Sequence, residues 1–115
     1  MADVLGTFEQ AVLLAIVRLK DESYGRAIWK EVEDRLGRDV AAGAVHATLE
    51  RLEGKGLVSS RLGSGTPIRA GRARRYYRLG PSGASALNEA RATVQDLWRG
   101  LKWPLNSSKA VKGYI

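Results

Sequence analysis

The most constraining feature of this sequence is a pair of strand-like segments separated by a stretch rich in glycine and arginine. Residues 57–62 and 74–79 contain the valine, leucine and adjacent tyrosines that favour strands. The stretch between them contains Gly65, Pro67 and Gly71, residues that favour turns. The pattern predicts an antiparallel hairpin with a long tip.

The same hairpin accounts for most of the net positive charge of the chain. The 115 residues carry a formal charge of +7, to which residues 58–80 contribute six arginines and no acid, or +6. Residues 1–57 have eight bases and ten acids, or −2, and residues 81–115 add +3. Arginine suits phosphate because its planar donors can bond two oxygens at once. The other interpretation of this arginine-rich segment is a solvated loop that binds nothing. The elements around it distinguish the two interpretations.

Two helices are predicted at the start of the chain, at about residues 7–20 and 24–36, because apolar side chains recur there at helical spacing. Residues 7–10 have the form of a capping box at the first helix. Ser23 is a candidate N-cap for the second helix, and Gly37 ends it. Trp29 lies off the apolar stripe of the second helix. It either packs at the edge of that stripe or is exposed for contact with a binding partner.

A third, short helix is predicted at residues 42–55, and a fourth begins at Gly80-Pro81 and ends at Trp103, before Pro104. The apolar stripe of the third helix is narrow: Val45, Leu49 and Leu52. Its opposite face presents Ala44, Ala47, Thr48 and Arg51, with His46 and Glu50 on the flank. The fourth helix, about 30 Å long, carries more apolar surface than one small core can cover, which indicates a second copy of the chain.

Three helices followed by a two-stranded hairpin with a basic tip is the order of a winged helix-turn-helix, a mainly α fold with a β-wing. In this order the sequence also resembles the PadR family of bacterial transcriptional regulators, over about residues 5–103. The motifs that carry the resemblance are LGTFE at 5–9, YG at 24–25, GAVHATLERLE at 43–53, GLV at 56–58, GRARRYYRL at 71–79 and PSG at 81–83. A single C-terminal helix is similar to the compact subgroup of that family.

The winged-helix interpretation divides the chain into a DNA-binding domain at 1–80, a C-terminal dimerisation helix at 81–104 and a flexible basic tail at 105–115. The predicted function is a sequence-specific DNA-binding transcriptional regulator, a repressor, that binds a pseudo-palindromic operator as a homodimer. The alternative is a winged-helix module that binds protein or RNA without reading a DNA sequence. A MarR-like dimer is a further alternative, although it normally has more helix around the wing.

The expected DNA contacts fall on two elements. On the third helix, Arg51 is the candidate for reading a base edge, with Thr48 and the alanines allowing close approach to the groove. Pairing of Arg51 with Glu50 or Glu53 is the competing interpretation. The recognition-helix set is Ala44, His46, Ala47, Thr48 and Arg51, the wing set is Arg69, Arg72, Arg74 and Arg75, and Tyr24 is either a contact to the DNA backbone or a core residue.

The resemblance also shows three departures from the family pattern. His46 stands where the family usually has tyrosine, and Ala41 where it often has serine. Both changes weaken the expectation of two phosphate contacts. Gly80 replaces the common threonine cap, at an expected cost of a few tenths of a kcal/mol.

The expected homodimer uses the fourth helix together with the start of the first helix. Its predicted interface residues are Leu5, Phe8, Val94, Leu97, Trp98 and Leu101. Some members of the family respond to aromatic or apolar compounds, so the resemblance implies a small aromatic effector, stacked near Trp98 and Trp103 of two copies. A purely intramolecular packing of Trp98 is the competing interpretation.

Other classes of protein are disfavoured by composition. There is no cysteine and a single histidine, so neither a disulfide framework nor a thiolate or histidine-rich metal site is expected. The glycines at 63 and 65 lead to Pro67 and lack the lysine of a nucleotide-binding loop, so no enzyme activity and no cofactor are predicted. The longest apolar run, residues 11–17, is too short to span a membrane, and a cytoplasmic protein is predicted.

Overall fold

The computed structural model describes residues 4–63 and 74–108. Three helices come first: α1 (Thr7–Leu19), α2 (Gly25–Leu36) and α3 (Ala42–Gly54), with one 3₁₀ turn (Lys20–Glu22) after α1. The strands β1 (Val58–Leu62) and β2 (Arg75–Leu79) and the helix α4 (Pro81–Trp98) follow. This order confirms the predicted mainly α fold with a β-wing.

The core lies between the first three helices and the base of the wing. It contains Val12, Leu13, Ile16, Ile28, Val32, Val45, Leu49, Leu52, Val58 and Tyr77. Each helix contributes residues three and four apart, because these positions share one face of an α-helix. The predicted assignment of Tyr77 to the core is confirmed, and Leu79 packs against it from the same strand face.

The two strands of the wing pair antiparallel, with Val58 opposite Leu79 and Leu62 opposite Arg75. Because side chains alternate along a strand, Val58, Ser60 and Tyr77 share the face toward the core. The outer face of the wing carries the alternate set, Ser59, Arg61, Tyr76 and Arg78. A single bridge from Tyr24 to Tyr76 ties the wing to the start of α2.

The turn between α2 and α3 is fixed by hydrogen bonds to both backbone groups of Val40. The indole of Trp29 donates to the Val40 carbonyl at 2.7 Å, and the Val40 N–H donates to the Glu33 carboxylate at 2.9 Å. Gly37 ends α2 in the left-handed conformation with φ +67°, as predicted. Trp29 therefore packs at the edge of α2, where it orients α3 relative to α2.

The first two helices start within one residue of the predicted positions, but the predicted capping residues of both are wrong. The N-cap of α1 is Gly6, whose N–H donates to the Glu9 carboxylate at 3.1 Å, so residues 7–10 do not form the capping box. The N-cap of α2 is Tyr24, and Ser23 is fully buried with its hydroxyl 3.4 Å from the Ile16 carbonyl oxygen. Ser23 is thus used for packing α2 against α1 rather than for capping.

The helix α4 begins as predicted, with Gly80 at the N-cap and Pro81 at the first helical position, but it ends earlier than predicted. It stops at Trp98 rather than Trp103, and Gly100 follows with φ +82°. Its first half packs on the core through Ala86, Leu87 and Ala90, whereas residues 91–108 are all exposed. Within the described residues, no helix combines the length and apolar character needed to cross a membrane.

Candidate nucleic-acid interface

The outward face of α3 is formed by small side chains and one histidine. Ala44, His46 and Ala47 are exposed, as the sequence predicts for a helix that approaches a groove. Thr48, which the sequence predicts on this face, is 3% exposed, so that placement is wrong. It belongs to the buried stripe with Val45, because residues three apart on a helix lie on nearly the same side.

A carboxylate that the sequence-based site did not include also lies on this face. Oε1 of Glu50 lies 2.7 Å from Nε2 of His46, and both side chains are 68% exposed. A carboxylate in the major groove can accept a hydrogen bond from the amino group of cytosine. The i, i+4 spacing from His46 was the signal in the sequence that could have identified it.

The ionic partner of Arg51 lies on α1 and not on its own helix. Its Nε lies 3.5 Å from Oε2 of Glu9, and its Nη2 lies 3.4 Å from the Thr48 hydroxyl. The competing prediction named Glu50 or Glu53 as the partner, so the pairing is real but its partner was wrong. Reading of a base edge by Arg51 stays a prediction, and it requires this ion pair to open.

Glu9 is the acceptor at the centre of this contact. Burial pushes the pKa of Glu9 upward, but the N–H of Gly6 and the cations of Lys55 and Arg51 outweigh it and hold the pKa below its ordinary value. Lys55 Nζ lies 3.6 Å from the same carboxylate. The ionised Glu9 side chain, 13% exposed, therefore fixes α3 against the start of α1.

A chain of hydrogen bonds connects α3 to the wing. Arg75 Nη1 donates to the Ser60 hydroxyl at 2.9 Å, and that hydroxyl donates to Glu53 at 2.7 Å. Tyr77 lies opposite Ser60 in the strand ladder. Burial raises the pKa of its phenol, Arg75 opposes that shift, and the carboxylates of Glu53 and Glu50 add to it. Arg75 remains exposed and is available to a phosphate.

Arg74 is held on the ring of Tyr24. Its guanidinium carbon lies 3.9 Å from the ring centroid, close enough for a cation–π interaction. Tyr24 in turn meets Tyr76 edge to face, with centroids 5.8 Å apart. We call Tyr24, Arg74 and Tyr76 the wing latch. The other predicted wing contacts, Arg69 and Arg72, lie outside the described residues.

An apolar surface lies along the second half of α4 and the residues that follow it. Four predicted interface residues are exposed there: Val94 48%, Leu97 73%, Trp98 37% and, after the helix, Leu101 60%. Leu5, just before α1, is 5% exposed, and Phe8 on α1 is partly buried against the core. Their place in the interface stays a prediction. Leu14 and Val17 are 42% and 46% exposed and add apolar surface on the α1 face turned away from the core.

Leu14, Val17 and Val94 line a groove of about 590 Å³ between α1 and α4. The two candidate effector residues lie beyond this groove. Trp98 is the last residue of α4, and Trp103, 79% exposed, follows the helix rather than forming part of it. The described structure therefore does not place the two indoles on one helical face.

Comparison with known proteins identifies the family to which this geometry belongs. The model of the transcriptional regulator PadR-like family matches residues 13–89. The transcriptional regulator Rv3488 of Mycobacterium tuberculosis is 38% identical over 79 residues, which cover 69% of each chain.

Two solved structures are similar in both sequence and fold. A PadR family transcriptional regulator from Eggerthella lenta is 30% identical, with a TM-score of 0.61 and coverage of 77% of this chain and 75% of its own. A PadR-like transcription factor from Bacteroides fragilis is 28% identical, with a TM-score of 0.65 and coverage of 80% and 84%. With α1–α3, the wing and α4 in the expected order, the chain belongs to the PadR-like family of transcriptional regulators.

Proposed function

We propose that this chain is a homodimeric, sequence-specific repressor that binds a pseudo-palindromic DNA operator in the bacterial cytoplasm. The observation that carries the proposal is the exposed face of α3, which lies beside a wing whose segment 58–80 has a charge of +6. In a winged helix such a helix enters the major groove, and the wing follows the phosphate backbone. Membership of a family of transcriptional regulators supports the proposal that this DNA binding regulates transcription.

The recognition face would combine shape with a few polar contacts. Ala44 and Ala47 allow the backbone of α3 to approach the base edges and can contact a thymine methyl group. His46 and Glu50 offer a donor and an acceptor on the same face. The wing set of Arg69, Arg72, Arg74 and Arg75 would supply phosphate contacts or enter the minor groove.

A dimer follows from the amount of DNA that one such domain can read. A single winged helix contacts too few base pairs to be selective, whereas a two-fold dimer doubles the contacts and requires half-sites about one helical turn or more apart. The exposed apolar surface of α4 supports this arrangement. A small aromatic effector near Trp98 and Trp103 stays a prediction, tested by tryptophan fluorescence with a panel of planar aromatic compounds.

The direct test is selection of bound duplexes from a random DNA pool with the purified full chain. We expect enrichment of one inverted repeat, bound at least 1000-fold more tightly than random DNA at the same salt concentration. RNA and unrelated duplexes serve as competitors. The absence of an enriched motif, or equal affinity for RNA, would refute the proposal and favour the alternative winged-helix module.

Two variants separate base reading from phosphate binding. His46→Ala should change the enriched motif at one position while leaving random DNA binding within about twofold, because a groove contact discriminates among bases. Arg72→Ala should weaken binding about equally on all duplexes and lower the salt slope by about one unit. Equal losses on operator and random DNA for both variants would contradict this division.

The wing latch makes a separate prediction about Tyr24. Tyr24→Leu should weaken operator binding about tenfold because the cation–π contact that positions Arg74 is lost. Tyr24→Phe keeps the ring and should remain within about twofold of the wild type. Fluorescence anisotropy with an operator duplex measures both variants, and thermal melting checks that both are folded.

The opposite ranking would identify a different contact. If the Tyr24 hydroxyl binds a DNA phosphate, the phenylalanine variant should lose as much affinity as the leucine variant. A double-mutant cycle with Arg74→Gln gives the decisive value. The latch predicts that the two changes together cost little more than either one alone, whereas independent contacts would give additive losses.

A further inference from the structure

A second basic site lies on the outer face of the wing, between that face and the end of α1. It is a cleft of about 470 Å³ that neither the base-reading helix nor the predicted wing-tip set explains. Its lining includes the cations of Lys20, Arg61 and Arg78, the hydroxyl of Ser59 and one acid, Asp21. The charges in this lining sum to +2.

The arginines of the cleft are neighbours on one strand face. Arg61 lies opposite Tyr76 and Arg78 lies opposite Ser59, so the two arginines are diagonal neighbours in the antiparallel ladder. Arg61 also rests on the Tyr76 ring, 5.2 Å from the centroid, which directs its charge to this face. Two cations this close repel each other, and an anion bound between them would offset that repulsion.

The three cations of the cleft have no ionic partner in the described part of the chain. Ion pairs there involve Arg18, Arg35, Arg51, Lys55, Arg99 and His46. Asp21, the one acid of the cleft, forms none of these ion pairs. The cleft thus offers several unoccupied donors to one ligand.

The backbone of Lys20 supplies a second observation. Lys20 has φ +51° and ψ −120°, and it is the one non-glycine residue with positive φ among those described. Glycine adopts this conformation without a steric cost, whereas a side chain with a Cβ is strained in it. A lysine at this position indicates that its side chain contributes something that compensates for the strain.

We propose that this cleft binds a phosphate group. Two guanidinium groups, one ammonium and one hydroxyl can bond several oxygens of one phosphate together, and the planar donors of arginine match this geometry. The phosphate comes either from a free ligand or from a DNA backbone that passes the outer face of the wing. The second source extends the proposed DNA contact beyond α3 and the wing tip, and the first does not depend on DNA.

The first arm of the test titrates inorganic pyrophosphate into the full chain by calorimetry. For a free ligand we expect one site per chain, and binding at least fivefold weaker in Lys20→Gly and in the double variant Arg61→Gln/Arg78→Gln. Lys20→Gly should at the same time raise Tm by about 4 °C, because glycine relieves the backbone strain. A variant that melts at a higher temperature and yet binds pyrophosphate more weakly cannot have lost binding by unfolding. Lys30→Gln, an exposed cation on α2, is the matched control and should bind normally.

The second arm uses random-sequence duplex DNA, so it does not require an operator. If the phosphate belongs to DNA, pyrophosphate should not bind, and the double variant should lower the salt slope of DNA binding by about two units. The proposal is overturned if the wild type binds no pyrophosphate and the double variant leaves the salt slope unchanged. It is also overturned if pyrophosphate binds equally well to the wild type and to both variants.

Discussion

Replacing Leu97 with aspartate should convert the protein from a dimer to a monomer. Leu97 is 73% exposed and lies with Val94 and Trp98 on the part of α4 that extends past the core, so the change removes no core contact. In the dimer the same position would bury a charge against an apolar partner, which is strongly unfavourable. Light scattering at micromolar concentration should show a mass near 12.5 kDa for the variant and about twice that value for the wild type.

Loss of the dimer should also remove most of the operator affinity. We expect a decrease of at least 100-fold on an inverted repeat, because each monomer then contacts one half-site, whereas binding to random DNA should change much less. Leu62→Asp is the matched control for assembly: Leu62 is 58% exposed but lies on β1, so this variant should remain a dimer. A wild-type protein that is already monomeric, or a Leu97 variant that stays dimeric, would refute the α4 interface.

Local sequence patterns were sufficient to predict the elements of the fold. The apolar spacing located all four helices, and Gly37 and Gly80-Pro81 marked helix ends through backbone conformations that depend on one or two residues. The hairpin followed from two short strands flanking a turn-rich stretch. These signals are local, so a single sequence contains them in full.

The predictions that were wrong concern side chains whose positions depend on contacts between segments far apart in the sequence. Arg51 pairs with Glu9, 42 residues away, which no spacing within α3 can indicate. Ser23 has the chemistry of an N-cap but is drawn into the core by packing of α2 on α1. Thr48 fitted both stripes of α3, and only the position of the core determined which face it takes.

Gly83→Ala should destabilise the fold although alanine favours helices. Gly83 is buried in the first turn of α4, where the chain lies against Leu57. A Cβ at this position would lie 2.6 Å from the Leu79 Cδ1 and 3.3 Å from the Leu57 carbonyl carbon, and still closer to the Leu57 oxygen. That oxygen already accepts the Gly80 N–H at 2.9 Å, so it cannot move away freely.

The clash should therefore outweigh the helix preference of alanine, which amounts to about 1 kcal/mol. We expect a net loss of about 1–3 kcal/mol in the free energy of unfolding, measured by urea denaturation. Gly54→Ala is the matched control. Gly54 is the last residue of α3, and a Cβ there meets no atom within 4 Å outside its own stretch of helix, so this variant should be as stable as the wild type or up to about 0.5 kcal/mol more stable. If both variants gained stability equally, α4 would not be docked against Leu57 as described.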